Sequence, residues 1–313
     1  MEVSVIIPNY NHAPFLEKRI ESVLNQTFKD FEVIILDDCS ADNSREIIEL
    51  YRSHPSVSQI MYNEANSGST FKQWDKGVVL AQGEYIWIAE SDDYANVSFL
   101  EQAMLKLKKD KSLGLYFCNY HAIDEKGNIM LSNDSYPAVF INYFINGESM
   151  RGRAFCEQYL FFNCIISNAS GVVFKKSLFM EADKSYMRLK VSGDWRIWVN
   201  ICYNARIFFD ERKLNYFRAH PHNVRSLKAS LMGAEAVQNM VRFVKKTKDK
   251  AIRKQLKESI CKTWVYSFSL NKNFCLNIAL IKSILLIDIF FPVRLIKRAY
   301  KKLHGQKHHL HLV

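Results

Sequence analysis

The chain has 313 residues, of which 48% are hydrophobic, 13% aromatic and 24% charged. This composition is sufficient for a real hydrophobic core and excludes a disordered chain. The low counts of 11 Gly and 6 Pro exclude collagen-like and linker-like proteins. The net charge of +11 is uneven, because residues 226–313 hold 18 Lys and Arg against four acids. A basic segment after a slightly acidic body indicates an anionic partner, either a membrane or a nucleic acid.

The cysteines and the first residues of the chain predict its compartment. Seven cysteines without a Cys-x-x-Cys pair argue against a disulfide framework or a zinc site. They predict buried free thiols in a reducing compartment. Met1 is followed by acidic Glu2 and a short apolar run, which is not the pattern of a signal peptide. We therefore expect a cytoplasmic protein.

Strand-like and helical patterns alternate over the first 118 residues. Short apolar runs predict strands over 3–7, 32–36, 57–61, 85–89 and 113–118. Apolar residues at helical spacing predict helices over 16–24, 41–51, 69–82 and 97–109, with Asp42 as the N-cap of the second. This alternation predicts a parallel sheet covered by helices on both faces.

The rest of the chain is less regular. We expect a hairpin turn at 124–127, a strand at 171–174 and a helix at 195–203, and helices over 226–313. No apolar run in the C-terminal segment reaches the roughly 20 residues that a membrane-spanning helix needs. The His-rich end (His304, His308, His309 and His311) is typical of a solvated tail rather than a metal site.

The last predicted helix is amphipathic. Val293, Ile296, Tyr300 and Leu303 share one face, and Arg294, Lys297, Arg298, Lys301 and Lys302 share the other. Helices that lie on anionic lipid are built in this way. The alternative is a helix that packs on the rest of the protein and exposes its basic face to solvent.

Acidic pairs follow two of the predicted strands, Asp37-Asp38 after the second and Asp92-Asp93 after the fourth. The carboxyl ends of parallel strands meet at one edge of the sheet, where open α/β sheets bind ligands. Four acids in one crevice repel each other unless a cation or hydrogen-bond donors intervene, and oxygen ligands suit Mg²⁺ or Mn²⁺. The alternative is that these residues cap helices or order turns.

Seven motifs follow in order along residues 1–226: Val3–Asn11, Ser22–Thr27, Val33–Asp42, Asn66–Gly68, Gly83–Asp93, Ser192–Trp198 and Phe217–His220. Together they resemble the family 2 glycosyltransferases with the GT-A fold. The resemblance implies an α/β/α sandwich, with a donor-binding half at 1–118 and an acceptor half at 119–226, followed by a basic helical extension at 227–313.

The family resemblance also implies a reaction and its partners. We expect inverting transfer of a sugar from a nucleotide-sugar, with UDP favoured, to a hydroxyl of a saccharide or lipid-linked acceptor, as in cell-surface polysaccharide synthesis. A divalent metal, Mn²⁺ or Mg²⁺, would sit on the diphosphate. Together with the basic segment, the resemblance predicts a cytoplasmic protein at the inner face of the cell membrane.

The resemblance assigns donor-binding roles by position. Pro8 and Tyr10 would line the base pocket, and Asp38 would accept a hydrogen bond from the base. Glu90, Ser91, Asp92 and Asp93 occupy the D-x-D region, where one Asp touches ribose and one the metal. Two positions depart from the family pattern. Glu90 replaces the usual first Asp, and Trp74-Asp75 replaces Arg-Asn, leaving Lys72 as the nearby cation.

The resemblance places the catalytic carboxylate at Asp194, which would remove the proton from the attacking hydroxyl. The alternative is an N-cap of the following helix. Arg218 would contact the donor, and His220 would approach the metal or the phosphates. A lone His is as often a surface or packed residue.

Two other functions remain open at the level of sequence. A sugar-phosphate nucleotidyltransferase would also use a metal and carboxylates, but its usual Gly-rich basic loop after the first strand is replaced here by Pro8–His12. A nucleic-acid-binding protein would use the basic segment, but the aromatic residues there (Trp264, Tyr266 and Phe268) resemble core residues and no binding motif occurs. We therefore expect no nucleic-acid partner.

Overall fold

A computed structural model describes residues 1–130, 149–219, 229–270 and 274–303. Contacts divide the chain into two units, Met1–Leu227 and Lys228–Val313. In the described residues, the first unit contains a nine-stranded sheet with flanking helices, and the second contains only helices.

The strands in chain order are β1 (Val3–Asn9), β2 (Phe31–Asp37), β3 (Val57–Tyr62), β4 (Tyr85–Ile88), β5 (Tyr94–Ala95), β6 (Leu113–Ile123), β7 (Met150–Arg151), β8 (Val172–Lys175) and β9 (Arg206–Arg218). The helices of the first unit are α1 (Ala13–Leu24), α2 (Ser44–Glu49), α3 (Thr70–Leu80), α4 (Phe99–Lys109), α5 (Gly152–Phe155), α6 (Lys176–Met180) and α7 (Gly193–Tyr203). A π-helical turn (Cys156–Leu160) and two 3₁₀ turns (Ala169–Gly171 and Lys184–Arg188) complete it.

The sheet is mixed, with the strand order β3-β2-β1-β4-β8-β6-β9-β5 and β7 on the edge of β9. The strands β3, β2, β1 and β4 are parallel, as the alternating pattern predicts. The sheet is not parallel throughout, because β8 is antiparallel to both β4 and β6. Strand–helix alternation indicates parallel pairing only between strands that a helix connects, and it ends at β6.

The core explains why the first elements are predictable. Every residue of β1, β2 and β4 is buried, which is the pattern of strands covered on both faces. Helix α4 buries Phe99, Leu100, Ala103, Met104 and Leu107 along one stripe. The hairpin turn is also confirmed, since Gly127 N–H donates to the Asp124 carbonyl and Ile123 pairs with Ile129 across it.

Three smaller expectations need correction. Helix α2 begins at Ser44 after an Asn43 N-cap, because the Asp42 carboxylate accepts hydrogen bonds from the Ala13 and Ser44 amides instead. The strands β5 and β9 were not predicted, since charged residues interrupt the apolar pattern of β9. Of the six cysteines whose side chains the structure describes, Cys39 is exposed and Cys164 is partly exposed, so not all the thiols are buried.

The second unit contains α8 (Ala229–Lys246), α9 (Lys250–Leu270), α10 (Phe274–Leu285) and α11 (Phe291–Leu303). Its buried side chains include Val237, Val241 and Val244 on one face of α8, and Leu256 and Ile260 on α9. Within the described residues, no helix is both long enough and apolar enough to cross a membrane.

Candidate functional site

The loops after β1 and β2 are cross-linked at the carboxyl edge of the sheet. Asn11 and Cys39 have left-handed backbone angles, with φ of 55° and 64°. The Asn9 side-chain amide and the Ser40 hydroxyl both donate to Asp37 Oδ1, at 2.8 and 2.6 Å. The Asn11 side-chain oxygen accepts the Ala41 amide at 2.7 Å. Asp37 therefore orders the turn, as the structural alternative held.

Asp38 lies beside this turn and accepts hydrogen bonds from three side chains and one backbone amide. Asn63 Nδ2 and Gln73 Nε2 donate to Oδ1 at 2.6 and 2.8 Å. The Ser67 amide donates to the same oxygen at 2.9 Å, and the Ser67 hydroxyl donates to Oδ2 at 2.7 Å. The carboxylate is only 4% exposed. Neutral donors therefore hold it in one orientation at the strand end.

Pro8 and Tyr10 occupy the neighbouring strand end. Pro8 is buried inside β1, where it pairs in register with Leu36. Tyr10 is 46% exposed, in the loop that the Asn11 contacts fix. The strand end beside that of Asp38 therefore carries an exposed aromatic ring.

Helix α1 runs along the Glu90–Asp93 loop and holds it by polar contacts. Arg19 Nε donates to the Glu90 carbonyl at 2.8 Å, and the Ala95 amide donates to the Ser22 hydroxyl at 3.3 Å. Gln26 Nε2 donates to the Asn96 carbonyl at 2.8 Å. Arg19 and Ser22 lie three residues apart on one face of α1, and Gln26 follows the end of the helix. Arg19 therefore holds the acidic loop itself, and the motif at 22–27 holds the residues that follow the loop.

The loop concentrates negative charge in a buried place. Burial raises the pKa of the Glu90 carboxyl to about 8, and the charge of Asp92 adds to the rise. Burial and Asp92 also raise the pKa of the Asp93 carboxyl. Asp93 is 2% exposed and accepts the Arg218 amide at 2.9 Å, whereas Asp92 is only partly buried. Asp92 is therefore the more accessible of the two aspartates to a ligand.

Arg19 is a buried cation beside these acids, and sequence reasoning missed it. Its side chain has no measurable exposure and stacks over the Trp87 ring. Its Nη1 and Nη2 have no hydrogen-bond partner in the part of the chain that the structure describes. Burial lowers the pKa of the guanidinium to about 10, and Asp93 opposes this shift. The available signal was a cation on the same face of the predicted helix as Ser22.

Ser91 and Arg218 also lie in this loop region. The Ser91 hydroxyl is 2.8 Å from His12 Nδ1. Arg218 Nε donates to the Asp92 carbonyl at 2.7 Å, and its Nη1 donates to the carbonyls of Asp124 and Glu125, each at 2.8 Å. Both residues brace the acidic loop. A direct contact of either one with a donor stays a prediction.

Asp194 lies at the start of α7. Ser192 is the N-cap residue, so the cap interpretation of Asp194 is wrong. The Asp194 carboxylate is buried at 9% exposure, and its Oδ1 accepts the Trp195 amide at 2.8 Å. Gly193 allows the helix start to approach α3, since a Cβ there would come within 2.5 Å of the Phe71 ring.

Three residues of α3 connect these parts of the site. Gln73 holds Asp38, Trp74 Nε1 donates to Glu90 Oε1 at 2.7 Å, and Phe71 packs on Gly193. The Trp74 ring also lies 5.8 Å from the Trp198 ring of α7. The structure therefore brings Asp38, the Glu90–Asp93 loop and the start of α7 around one helix. The sequence could not show this, because aromatic residues at helical spacing are typical of any core.

Two lysines contact the loop that precedes α3. Lys72 Nζ donates to the Ser67 carbonyl at 3.0 Å, and Lys190 Nζ donates to the Gly68 carbonyl at 2.7 Å. Gly68 has a φ of +69°, which favours glycine. Lys72 is therefore not the only cation near this loop, and Lys190 could not be found from sequence position because it lies 118 residues later.

The predicted metal ligands include His220 and the acidic loop. His220 lies outside the described residues. Among the residues that the structure does describe, no three His, Cys, Asp or Glu side chains are arranged to hold a metal ion. Mg²⁺ and Mn²⁺ often use one or two carboxylates and take their remaining oxygens from substrate phosphates and water. The oxygen donors of the acidic loop fit that role, with Asp92 as the accessible one.

Comparison with known proteins decides the family. The family model for Glycosyl transferase family 2 matches residues 4–182, more than half of the chain. The chain belongs to glycosyltransferase family 2. This confirms the resemblance carried by the seven motifs.

Relatives and solved structures agree with that assignment. Chondroitin synthase of Escherichia coli is 30% identical over 226 residues, which cover 69% of this chain and 32% of that protein. Glycosyltransferase GlyG of Streptococcus pneumoniae is 32% identical over 123 residues, 39% of this chain and 40% of that one. This glycosyltransferase thus spans about a third to two fifths of these relatives.

The solved structures confirm the fold. TarS 1-349 of Staphylococcus aureus, in complex with UDP-GlcNAc, matches with a TM-score of 0.69 and 17% identity, covering 100% of this chain and 95% of that one. A mannosyltransferase of Pyrobaculum calidifontis, in complex with GDP-Man and Mn²⁺, matches with a TM-score of 0.55 and 14% identity, covering 98% and 88%. The predicted α/β sandwich of GT-A type, followed by C-terminal helices, is confirmed.

Proposed function

We propose that this glycosyltransferase moves a sugar, with inversion, from a UDP-sugar to a hydroxyl of a saccharide or lipid-linked acceptor. The observation that carries the proposal is that Asp38, the Glu90–Asp93 loop and the start of α7, which holds Asp194, all lie around α3. Residues 1–226 form the proposed transferase domain, and 227–313 form the proposed extension. Its relatives include a chondroitin synthase, and TarS was solved with UDP-GlcNAc, which supports a uridine-linked donor and a polysaccharide product.

The proposed donor site uses the two strand ends differently. Pro8 and Tyr10 line the base pocket, and Asp38 presents a fixed acceptor to the N–H of uracil. Glu90 and Ser91 complete the proposed donor-binding loop, in which one of the two aspartates contacts the ribose. Arg218 supports the site by holding the backbone of Asp92 and by presenting its own amide to Asp93.

We assign the cation-binding role to Asp92, because it is less buried than Asp93. Asp93 keeps the loop in place through the Arg218 amide. When bound, Mn²⁺ or Mg²⁺ neutralises the charge that develops on the departing diphosphate. His220 is proposed as a further ligand or phosphate contact.

Asp194 is the proposed general base. As the new bond to the anomeric carbon forms, its carboxylate takes the proton of the attacking hydroxyl, and the nucleoside diphosphate departs from the opposite face. Its place in the first turn of α7 keeps the carboxylate fixed by a backbone amide. A base that does not need to reorient lowers the cost of reaching the transition state.

The test is Asp194→Asn, compared with Asp110→Asn as a matched change at a surface aspartate after α4. A thermal-shift panel of nucleotide-sugars with Mn²⁺ first identifies the donor, because a specific ligand stabilises the fold in proportion to its affinity. We expect Asp194→Asn to reduce sugar transfer by at least about 100-fold while donor binding is retained. EDTA should weaken donor binding to the wild-type protein.

Three outcomes would contradict the proposal. If Asp194→Asn transfers sugar at nearly the wild-type rate, the assignment of Asp194 as the general base is wrong. Release of pyrophosphate rather than UDP would select a nucleotidyltransferase. If EDTA leaves donor binding unchanged, the proposed role of a metal in donor binding is wrong.

We also propose a cytoplasmic location, at the inner face of the cell membrane, where lipid-linked acceptors are accessible. The net positive charge of residues 226–313 supports attraction to anionic lipid.

A further inference from the structure

An exposed apolar surface covers the end of α10 and the start of α11. Leu286, Ile289 and Phe290 are 81%, 75% and 62% exposed, and Val293 and Ile296 are 46% and 69% exposed. Five large apolar side chains thus face solvent within eleven residues, and we call them the 286–296 surface. Soluble proteins seldom expose large apolar side chains so densely unless something binds there.

The segment that carries this surface is firmly anchored from its inner side. Phe291 is 1% exposed and packs edge-to-face on Trp264, with ring centroids 5.5 Å apart. Asp288 is 3% exposed and forms ion pairs with Arg294 at 2.7 Å and Lys257 at 3.9 Å. The buried residues select which side chains point outward, so the exposure is a property of the folded segment.

The burial pattern also bears on the two interpretations of α11. A helix that packs by its apolar face would bury Val293 and Ile296. Both are exposed, and the residues that anchor the segment, Asp288 and Phe291, are at other positions. The structure therefore favours the lipid-surface interpretation over a packed helix with only a solvated basic face.

The charge around the surface is almost entirely positive. Between residues 282 and 302 the chain carries six cations and a single acid, Asp288, which is already paired. Lys282 and Lys297 are exposed. Two copies of this surface would repel each other, and a nucleic acid would leave the five apolar side chains in water. An anionic lipid bilayer satisfies both features, since it offers negative headgroups and an apolar interior.

We propose that the 286–296 surface inserts into the headgroup region of an anionic bilayer, with exposed cations such as Lys282 and Lys297 on the lipid phosphates. This inference deepens the proposed membrane location and rests on it, but it does not depend on the transfer reaction. An arrangement of this kind would hold the protein at the membrane without a spanning helix.

The test is flotation of the full chain with phosphatidylcholine vesicles, with and without about 30 mol% phosphatidylglycerol. We expect binding to the anionic vesicles only, weakened by salt. The double variant Ile289→Ser/Phe290→Ser should lower that affinity by about tenfold or more, because insertion depends on buried apolar area. The matched control is Leu50→Ser/Leu105→Ser, which changes two leucines that are 76% and 57% exposed in the first unit.

Both double variants change exposed side chains, and melting curves should confirm that each folds like the wild type. Equal vesicle binding by Ile289→Ser/Phe290→Ser and the wild type would overturn the proposal. So would a wild-type dimer that this variant dissociates, which would identify a second copy as the occupant. Salt-sensitive RNA binding with no vesicle binding would equally overturn it. Vesicle binding is measured without nucleotide-sugar, so the result is independent of the proposed reaction.

Discussion

Two acidic strand ends at the same sheet edge are built in opposite ways. Asp38, after β2, accepts hydrogen bonds from Asn63, Ser67 and Gln73, all of them neutral groups. The Glu90–Asp93 loop, after β4, places three carboxyls close together beside a buried guanidinium. The first arrangement fixes an acceptor, and the second concentrates charge.

The difference indicates which ligand each end suits. A carboxylate that neutral hydrogen-bond donors hold in one orientation is suited to accept a directional hydrogen bond. A nucleobase is recognised through such a bond. Carboxyls whose pKa is raised by burial and by each other gain from a cation, since added positive charge favours their ionised forms. The buried Arg19 supplies part of that positive charge from α1, and a divalent ion bound with the ligand would supply more.

The sharpest test of this contrast exchanges one carboxylate at each end. Asp92→Asn should reduce the transfer rate by about 100-fold or more at Mn²⁺ concentrations that support full activity of the wild type. The reason is that it removes the accessible oxygen ligand. Asp38→Asn should raise KM for the donor and leave the Mn²⁺ dependence unchanged. Transfer rates measured over a matrix of donor and Mn²⁺ concentrations separate the two effects.

Asp110→Asn serves as the control for the loss of a negative charge elsewhere on the surface. If Asp38→Asn shifts the Mn²⁺ requirement as much as Asp92→Asn does, the two ends form one cation site and the contrast is wrong.

Removal of the buried cation should have the next largest effect. Arg19→Met removes the fully buried positive charge beside Glu90, Asp92 and Asp93, and we expect a loss of about 3 kcal/mol in the free energy of unfolding. Mn²⁺ should then raise the melting temperature more in the variant than in the wild type, because the ion replaces part of the missing charge. Thermal unfolding at several Mn²⁺ concentrations measures both quantities.

Arg19→Lys is the companion variant, since it keeps the charge but not the planar group that reaches the Glu90 carbonyl. It should recover part of the stability. Identical Mn²⁺ responses in wild type and Arg19→Met would show that Arg19 only fills space against Trp87.

The sequence predicted the parts of the molecule that depend on local patterns. Continuous apolar runs such as Val3–Ile7 identify strands covered on both faces, and acids placed directly after strands identify the ligand edge. Asp38 and Asp92 could be named for that reason. Local patterns also place the last helix and its two faces.

Features that depend on distant partners could not be predicted. Strand β8 lies between β4 and β6 and runs antiparallel to both. No local sequence period records which distant strands it pairs with or in which direction. The roles of Gln73 and Trp74 depend on residues at the ends of two other strands, and the position of Lys190 depends on a loop far earlier in the chain. Arg218 shows the same limit, since its partners lie about 90 and 126 residues away in sequence.

The smallest expected effects come from two adjacent residues of α3 that each serve one end. Gln73→Met removes one hydrogen bond to Asp38. It should raise KM for the nucleotide-sugar by about tenfold, which corresponds to the loss of a hydrogen bond to a charged group. Trp74→Phe removes the donor to Glu90. That hydrogen bond opposes the rise in the pKa of Glu90, so its loss favours the protonated carboxyl and should weaken the Mn²⁺ response instead. Effects of both variants on the same parameter would contradict the division between the two ends.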